Sequence, residues 1–141
     1  MAGFSLAMRS TVSSSGAAVA EIRAAASNRV RLFEVGVSIQ AATASLYGLG
    51  RPASAGTASS AVAVLPDDTN DTGTAQGAVT WSSGPTAPTQ FMRRGGLPAS
   101  IGAGLVWTFP RGIIIPASGS IVLWNIAAGA NAVDVYWVID E

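Results

Sequence analysis

The residue types that perform most protein chemistry are largely missing from this chain of 141 residues. It has no His, Cys or Lys, so the usual general base, thiol nucleophile and Schiff-base amine are absent. Among the carboxylates, Asp140 and Glu141 are typical of solvated charge, and Asp134 lies in a predicted strand where an Arg can pair with it. Glu34 is the strongest candidate for a buried acid, which needs a partner such as an Arg. We therefore expect no enzymatic activity and no cofactor.

One segment has the residue types of a cation site. Asp68-Thr-Asn-Asp-Thr-Gly73 partly matches the calcium-loop pattern, in which oxygen ligands alternate before a glycine. Asp67 and Asp71 would add further oxygens. Thr72 replaces the usual Asp or Asn, however, and Val79 lies where the bidentate Glu belongs. We interpret the segment as a solvated turn without a metal, with a bound cation as the alternative.

The pair Arg93-Arg94, followed by two glycines, predicts a compact basic loop. Because Arg binds carboxylates through two parallel hydrogen bonds, such a loop can dock on acidic groups of a partner. A solvated turn is the alternative interpretation. The formal net charge is +0, which leaves no surplus of cations to face phosphates, so we expect no nucleic-acid partner.

Composition favours assembly over an isolated monomer. Hydrophobic residues make up 49% of the chain and charged residues only 11%, against about 25% in typical globular proteins. A monomer with so few charges has difficulty keeping its surface free of apolar patches. We expect an oligomer or an assembly component, with a compact Ala-rich monomer as the alternative. No segment approaches the roughly 18 apolar residues of a membrane helix, so we expect no membrane partner.

Short apolar segments separated by Gly and Pro run along the chain, with no convincing helical stripe. This spacing predicts an all-β, single-domain β-sandwich or jelly roll of about eight or nine antiparallel strands. Residues 1–16 are interpreted as an extended amino-terminal arm or edge strand, and residues 17–141 as the β-sandwich domain.

Several connections carry specific turn predictions. Ala17–Ala26 fits a strand better than a helix, because Ser27-Asn28 then makes a tight hairpin turn into the strand Arg29–Gln40. The apolar face of that strand switches near Leu32-Phe33, which predicts a bulge or a change of layer. Pro110-Arg111-Gly112 predicts a turn between two further strands.

The last two predicted strands, residues 119–126 and 132–139, are apolar on both faces. A sheet with one solvated face alternates apolar and polar residues, so both faces of these strands are expected to contact protein, one of them through sister subunits. Four aromatic residues are expected to fill the core or a subunit interface: Trp107, Trp124, Tyr136 and Trp137. Trp81 flanks a loop and is the best candidate for stacking on a ligand.

From residue 29 to the end, the chain resembles small structural proteins of tailed bacteriophages, although residues 53–89 carry little of the resemblance. The residues that carry it are Arg31-Leu-Phe-Glu-Val-Gly-Val37, Arg93-Arg-Gly-Gly-Leu-Pro-Ala-Ser-Ile-Gly-Ala-Gly-Leu-Val-Trp-Thr-Phe-Pro110, Gly112-Ile-Ile-Ile-Pro-Ala-Ser-Gly-Ser-Ile-Val-Leu-Trp-Asn125 and Asp134-Val-Tyr-Trp-Val-Ile-Asp-Glu141. The resemblance is greatest to capsid decoration (cement) proteins, which commonly form β-sandwich trimers on the major capsid protein. It implies a homotrimer located on the outer capsid surface of a virion, with the major capsid protein as its partner.

Under this hypothesis, contacts with the shell are expected from the basic pair, the acidic segment and the amino-terminal arm. The candidate residues are Arg93, Arg94, Asp67, Asp68, Asp71, Phe4 and Arg9. The alternative is a glycan- or receptor-binding head-fibre or tail module of a phage, with Trp81 as a stacking platform. A third possibility is a ring subunit of the tail or connector.

Overall fold

The computed structural model describes residues 2–11, 14–127 and 132–141, which form thirteen β-strands and no helix. Eight strands have six or more residues: β1 (Gly3–Ser10), β2 (Ala17–Arg23), β3 (Val30–Ile39), β4 (Ser45–Gly50), β10 (Phe91–Leu97), β11 (Gly104–Ile115), β12 (Ser120–Ala127) and β13 (Val133–Asp140). Five have two or three residues: β5 (Thr57–Ala58), β6 (Val62–Ala63), β7 (Leu65–Pro66), β8 (Gln76–Ala78) and β9 (Trp81–Ser83). The all-β prediction is confirmed, and the eight long strands match the expected number.

The strands form two antiparallel sheets and a small third one. Sheet A has the order β11-β3-β13-β1-β7, and sheet B has the order β10-β4-β12-β2-β8-β6. β5 and β9 pair with each other in sheet C. Among the long strands, the orders 11-3-13-1 and 10-4-12-2 are those of a jelly roll, in which each sheet combines strands from the beginning and end of the chain. The predicted β-sandwich or jelly roll is confirmed.

The core lies between the inner faces of sheets A and B. Trp137 of β13 is completely buried and pairs across the sheet with Leu6 of β1 and Val35 of β3. Sheet B contributes residues such as Leu49 and Leu123, which also have no exposed surface and are direct cross-strand partners. Residues two apart on a strand share a face, so these alternating apolar positions produce the two inner faces.

The predicted bulge in β3 is confirmed. Val138 of β13 pairs with Glu34, whereas the next residue, Ile139, pairs with Leu32, so that Phe33 has no partner in this ladder. The extra residue shifts the alternation by one, because two residues of β3 then oppose one of β13. Leu32 and Val35, which lie three residues apart, are therefore both buried on the inner face.

Two turn predictions are wrong. The hairpin at Ser27-Asn28 does not form, because β2 lies in sheet B and β3 in sheet A, so residues 24–29 cross between the layers. Pro110-Arg111-Gly112 does not separate two strands, because β11 continues through it with a register irregularity between Thr108 and Ile113. Gly112 has φ = 65°, in the left-handed region that favours glycine, and this accommodates the irregularity within one strand.

The chain itself covers part of the second apolar face of β12, which the sequence analysis expected sister copies to cover, and Trp124 and Ile126 on this face remain half-buried. Val122 on this face has no exposed surface. Its cross-strand partner Gly50 is covered by Pro88, whose side chain lies 2.6 Å from the position that a Cβ would occupy. Parts of the segment between β4 and β10, namely sheet C and the residues around Pro88, therefore provide a partial third layer outside sheet B.

Candidate interaction surfaces

A buried carboxylate attaches this third layer to sheet B. Glu21 of β2 is only 2% exposed and accepts hydrogen bonds from Trp81 Nε1 at 2.9 Å and from the Gly56 amide at 3.1 Å. Arg23 of the same strand donates to the Gly56 carbonyl oxygen at 3.1 Å. Acceptors of this kind satisfy donors that would otherwise be buried without partners. Glu21 is thus the acid that holds sheet C in place.

Two sequence interpretations change as a result. The buried acid is Glu21 and not Glu34, which is half-buried and accepts a 2.6 Å hydrogen bond from the Tyr136 hydroxyl instead of pairing with an Arg. Trp81 is half-buried, and the polar edge of its indole is directed towards Glu21. An acid between apolar neighbours in β2 was the only sequence signal that pointed to this arrangement.

The outer face of sheet A combines small residues with one aromatic ring and one ion pair. The ring of Tyr136 lies directly over Gly36 of β3, at a position where any side chain would overlap it. Next to it is a groove of about 360 Å³, lined by residues that include Ala7, Ser38, Gly104 and Val106. The hydrogen bond to Glu34 raises the pKa of the Tyr136 phenol, and burial adds to this effect.

The ion pair on this face joins Arg9 of β1 to Asp134 of β13, as the sequence predicted for Asp134. Arg9 donates to both carboxylate oxygens, from Nε at 2.6 Å and from the terminal nitrogen at 2.7 Å. These hydrogen bonds lower the pKa of Asp134 and raise that of Arg9. Since each charge compensates the other, the pair is unsuited to acid–base chemistry.

The other predicted aromatic and arm residues have clear positions in the fold. Trp137 is in the core, and Trp107 is half-buried with its indole packed against the core. Trp124 is half-buried in β12, where it pairs with Gly48. Phe4 is 1% exposed, because β1 lies within sheet A between β13 and β7. Phe4 is therefore a core residue and has no surface to offer a partner.

Arg93 and Arg94 lie in β10 rather than in a loop, which corrects the sequence interpretation. The two following glycines are part of the strand, and the Leu105 side chain packs over Gly95, with its end 2.6 Å from the position that a Cβ would occupy. Arg93 is stacked over the ring of Phe109, 5.1 Å from its centroid.

β10 and β11 are the end strands of the two sheets, so they form one narrow side of the sandwich. This side carries four exposed Arg residues. Arg93 and Arg94 belong to β10, Arg111 belongs to β11, and Arg51 follows β4 and donates to the Ile114 carbonyl oxygen at 2.7 Å. Residues 35–66 and 72–133 contain no Asp or Glu, so no acid in these segments opposes this charge. We call this side, comprising residues 91–115 and Arg51, the basic edge.

Three acidic residues lie at the opposite narrow side. β7 is the other end strand of sheet A and β6 that of sheet B, and the segment 62–66 passes from one sheet to the other. Asp67, Asp68 and Asp71 follow directly and are exposed. No Arg occurs between residues 52 and 92. We call this side, residues 62–71, the acidic edge.

The acidic edge does not have the geometry of a metal site. Asp68 Oδ1 accepts hydrogen bonds at 3.0 Å from the backbone and side-chain nitrogens of Asn70, which closes a local turn. Asp67 Oδ1 accepts from Ser5 at 3.4 Å. Within residues 2–11, 14–127 and 132–141, no group of three or more acidic, His or Cys side chains is arranged to hold a metal ion.

The carboxyl end also differs from the sequence interpretation. Asp140 is only 9% exposed, and the Glu141 side chain accepts hydrogen bonds from the amides of Thr74, at 2.7 Å, and Ala75. These acids are therefore part of the packed structure and are not simply solvated charge. The described part of the chain has no helix long and apolar enough to cross a membrane.

No family model, curated protein or solved structure matches this chain. The class of protein is therefore defined by the fold and surfaces alone: an antiparallel β-sandwich with jelly-roll strand order and two narrow sides of opposite charge.

Proposed function

We propose that this chain is a non-enzymatic structural protein of a phage virion, which decorates and stabilises the capsid by binding the major capsid protein as a homotrimer. The observation that carries the self-association is the distribution of exposed apolar residues. Among the described residues, five large hydrophobic side chains are prominently exposed, and all lie in the segments that form the two edges: Val62, Leu65, Ile101, Val106 and Ile114. Their exposed fractions range from 42% to 68%, which favours burial by a partner. Val106 also lines the groove on the outer face of sheet A. The virion role itself is supported by the sequence resemblance.

The proposed mechanism is thermodynamic linkage. A protein that binds the assembled shell, and not its separated subunits, lowers the free energy of the shell and so opposes its rupture. Three copies joined by symmetry present three equivalent shell contacts, and engagement of the first raises the effective concentration of the others. No chemical step is required, which agrees with a chain that lacks His, Cys and Lys.

The direct test is to add the purified protein to heads of the corresponding phage that were assembled without it. We expect co-sedimentation with the heads and a higher temperature of DNA release than for untreated heads. Bovine serum albumin at the same mass concentration is the control for nonspecific protection. Heads that bind none of the protein, and rupture at an unchanged temperature, would contradict the proposal.

The glycan-binding alternative has weaker support from the geometry. Its stacking residue, Trp81, is half-buried with Nε1 engaged by Glu21. Sugar platforms present a flat exposed aromatic face together with free polar groups, and here the polar atom of the ring is already used. A glycan array probed with the wild-type protein tests this alternative, and a signal that Trp81→Ala removes would favour it over capsid decoration.

A further inference from the structure

We propose that neighbouring copies of this chain join head to tail, with the basic edge of one copy against the acidic edge of the next. This inference rests on the self-association proposed above and specifies the surfaces that form the contact. It also reassigns Arg93, Arg94, Asp67, Asp68 and Asp71, which the sequence analysis assigned to contacts with the shell.

The two edges carry complementary charges. The basic edge has four Arg side chains and the acidic edge three Asp side chains, on a chain of formal net charge +0. Two basic edges, or two acidic edges, would bring like charges together, whereas one of each brings opposite charges into contact. The charge distribution therefore favours a heterologous contact over an isologous one.

Both edges expose strand backbone and apolar side chains that a partner could bury. β11 is a twelve-residue end strand, and β7 ends the same sheet on the other side. End strands present unpaired backbone groups that readily associate with another chain. Each edge also carries exposed apolar side chains, Ile101 and Ile114 on the basic edge and Val62 and Leu65 on the acidic edge.

The two edges are connected by one row of cross-strand neighbours in sheet A. Ile114 pairs with Arg31, Arg31 with Asp140, and Asp140 with Gly3. The Asp67 amide then donates to the Gly3 carbonyl oxygen at 2.8 Å. Ile114 and Asp67 thus lie at opposite ends of one row of residues that crosses sheet A. The basic and acidic edges therefore lie at the same height along the strands.

The charged residues outside the two edges mostly interact within the same chain. Arg9 is paired with Asp134, Arg23 donates to Gly56, and Glu21 is buried. Glu34 accepts a hydrogen bond from Tyr136, and the remaining charges line one common pocket: Arg29, Arg31, Asp140 and Glu141. Most of the exposed charged residues belong to the two edges, and only Arg9, Arg23 and Arg29 are exposed elsewhere. Because the surrounding surface contains few other charges, the edges dominate the electrostatic attraction between copies.

Charge reversal tests the inference. The basic edge is reversed by Arg94→Glu with Arg111→Glu, and the acidic edge by Asp67→Arg with Asp71→Arg; the combined variant carries all four substitutions and restores the net charge. Ser82→Glu with Ser83→Glu, which adds acid at exposed positions of β9 that belong to neither edge, is the control. The assembly state of each protein is measured by sedimentation velocity over a range of protein concentrations, and folding is checked by circular dichroism.

We expect each single-edge variant to be folded and to dissociate at a concentration at least tenfold higher than the wild type. The combined variant should assemble like the wild type, because its edges are again complementary, and the β9 control should be unaffected. Wild-type oligomers with single-edge variants equally stable would overturn the head-to-tail contact but leave self-association intact. A combined variant that does not assemble would also overturn it, and a wild type that is monomeric throughout would overturn both proposals.

Discussion

Replacing Glu21 by Leu should destabilise the protein far more than an ordinary surface substitution. The change keeps much of the side-chain volume but removes the acceptor of two hydrogen bonds, from Gly56 N–H and Trp81 Nε1–H. A buried donor left without a partner costs about 1–3 kcal/mol, so two donors give about 2–6 kcal/mol. Detachment of sheet C from sheet B would rehydrate both donors and limit the loss. We therefore expect a decrease of about 2–4 kcal/mol in the free energy of unfolding.

The assay is urea denaturation at one fixed protein concentration, because self-association makes apparent stability depend on concentration. A double-mutant cycle with Trp81→Phe isolates the side-chain hydrogen bond. Trp81→Phe should cost about 1 kcal/mol in the wild type and almost nothing in Glu21→Leu, because the donor that it removes no longer has a partner. Hydrogen exchange at the Gly56 amide should be faster in Glu21→Leu. A loss below about 0.5 kcal/mol, with additive effects in the cycle, would refute this account of Glu21.

Three further outcomes are expected for sheet A. Gly36→Ala should cost about 1–3 kcal/mol in urea denaturation, because the new methyl displaces the Tyr136 ring and its hydrogen bond; an unchanged midpoint would contradict this. Arg9 lowers the pKa of Asp134, so the ion pair should stabilise the folded protein at pH values above the ordinary pKa of an Asp. This stability should be lost as the pH falls through the lowered pKa of Asp134, and Asp134→Asn should not show the loss. The pKa of Tyr136 is raised, so the stability that its hydrogen bond to Glu34 contributes should be lost as the pH rises through this raised pKa. Tyr136→Phe should remove this decrease in stability at alkaline pH.

Patterns with a local cause were predicted correctly from the sequence. The strand class follows from apolar residues at alternate positions between Gly and Pro, which depends only on neighbouring residues. The bulge near Leu32-Phe33 was visible because the apolar face changes there. Asp134 was expected to pair with an Arg, and the register of β1 against β13 identifies it as Arg9.

Features that depend on distant residues were missed. Gly95 and Gly96 suggested a loop, but Gly95 is small because Leu105 packs over it from another strand. The acceptor role of Glu21 involves partners 35 and 60 residues away. The hairpin at Ser27-Asn28 failed because local turn chemistry does not determine whether the next strand joins the same sheet. Val122 on the outer face of β12 is buried as expected, but it is buried within the same chain, where Pro88 covers its cross-strand partner Gly50.

The positions of the basic and acidic edges also depend on residues that are distant in sequence. The separation of acids from Arg along the chain is visible in the sequence, since residues 72–133 include three Arg and no acid. Their placement on opposite narrow sides required the strand order, which places β11 and β7 at the two ends of sheet A. The sequence thus shows that acids and Arg residues are separated along the chain, and the topology shows where each group lies in the fold.

The central claim is that this chain is a building block that assembles through its edges. The most direct test is native mass spectrometry of the purified wild-type protein at micromolar concentration, in volatile buffers of increasing ionic strength. We expect a predominant trimer that gives way to monomer as the ionic strength rises, because salt screens the contacts between exposed charges. Monomer alone, at every concentration and at the lowest ionic strength, would contradict the claim.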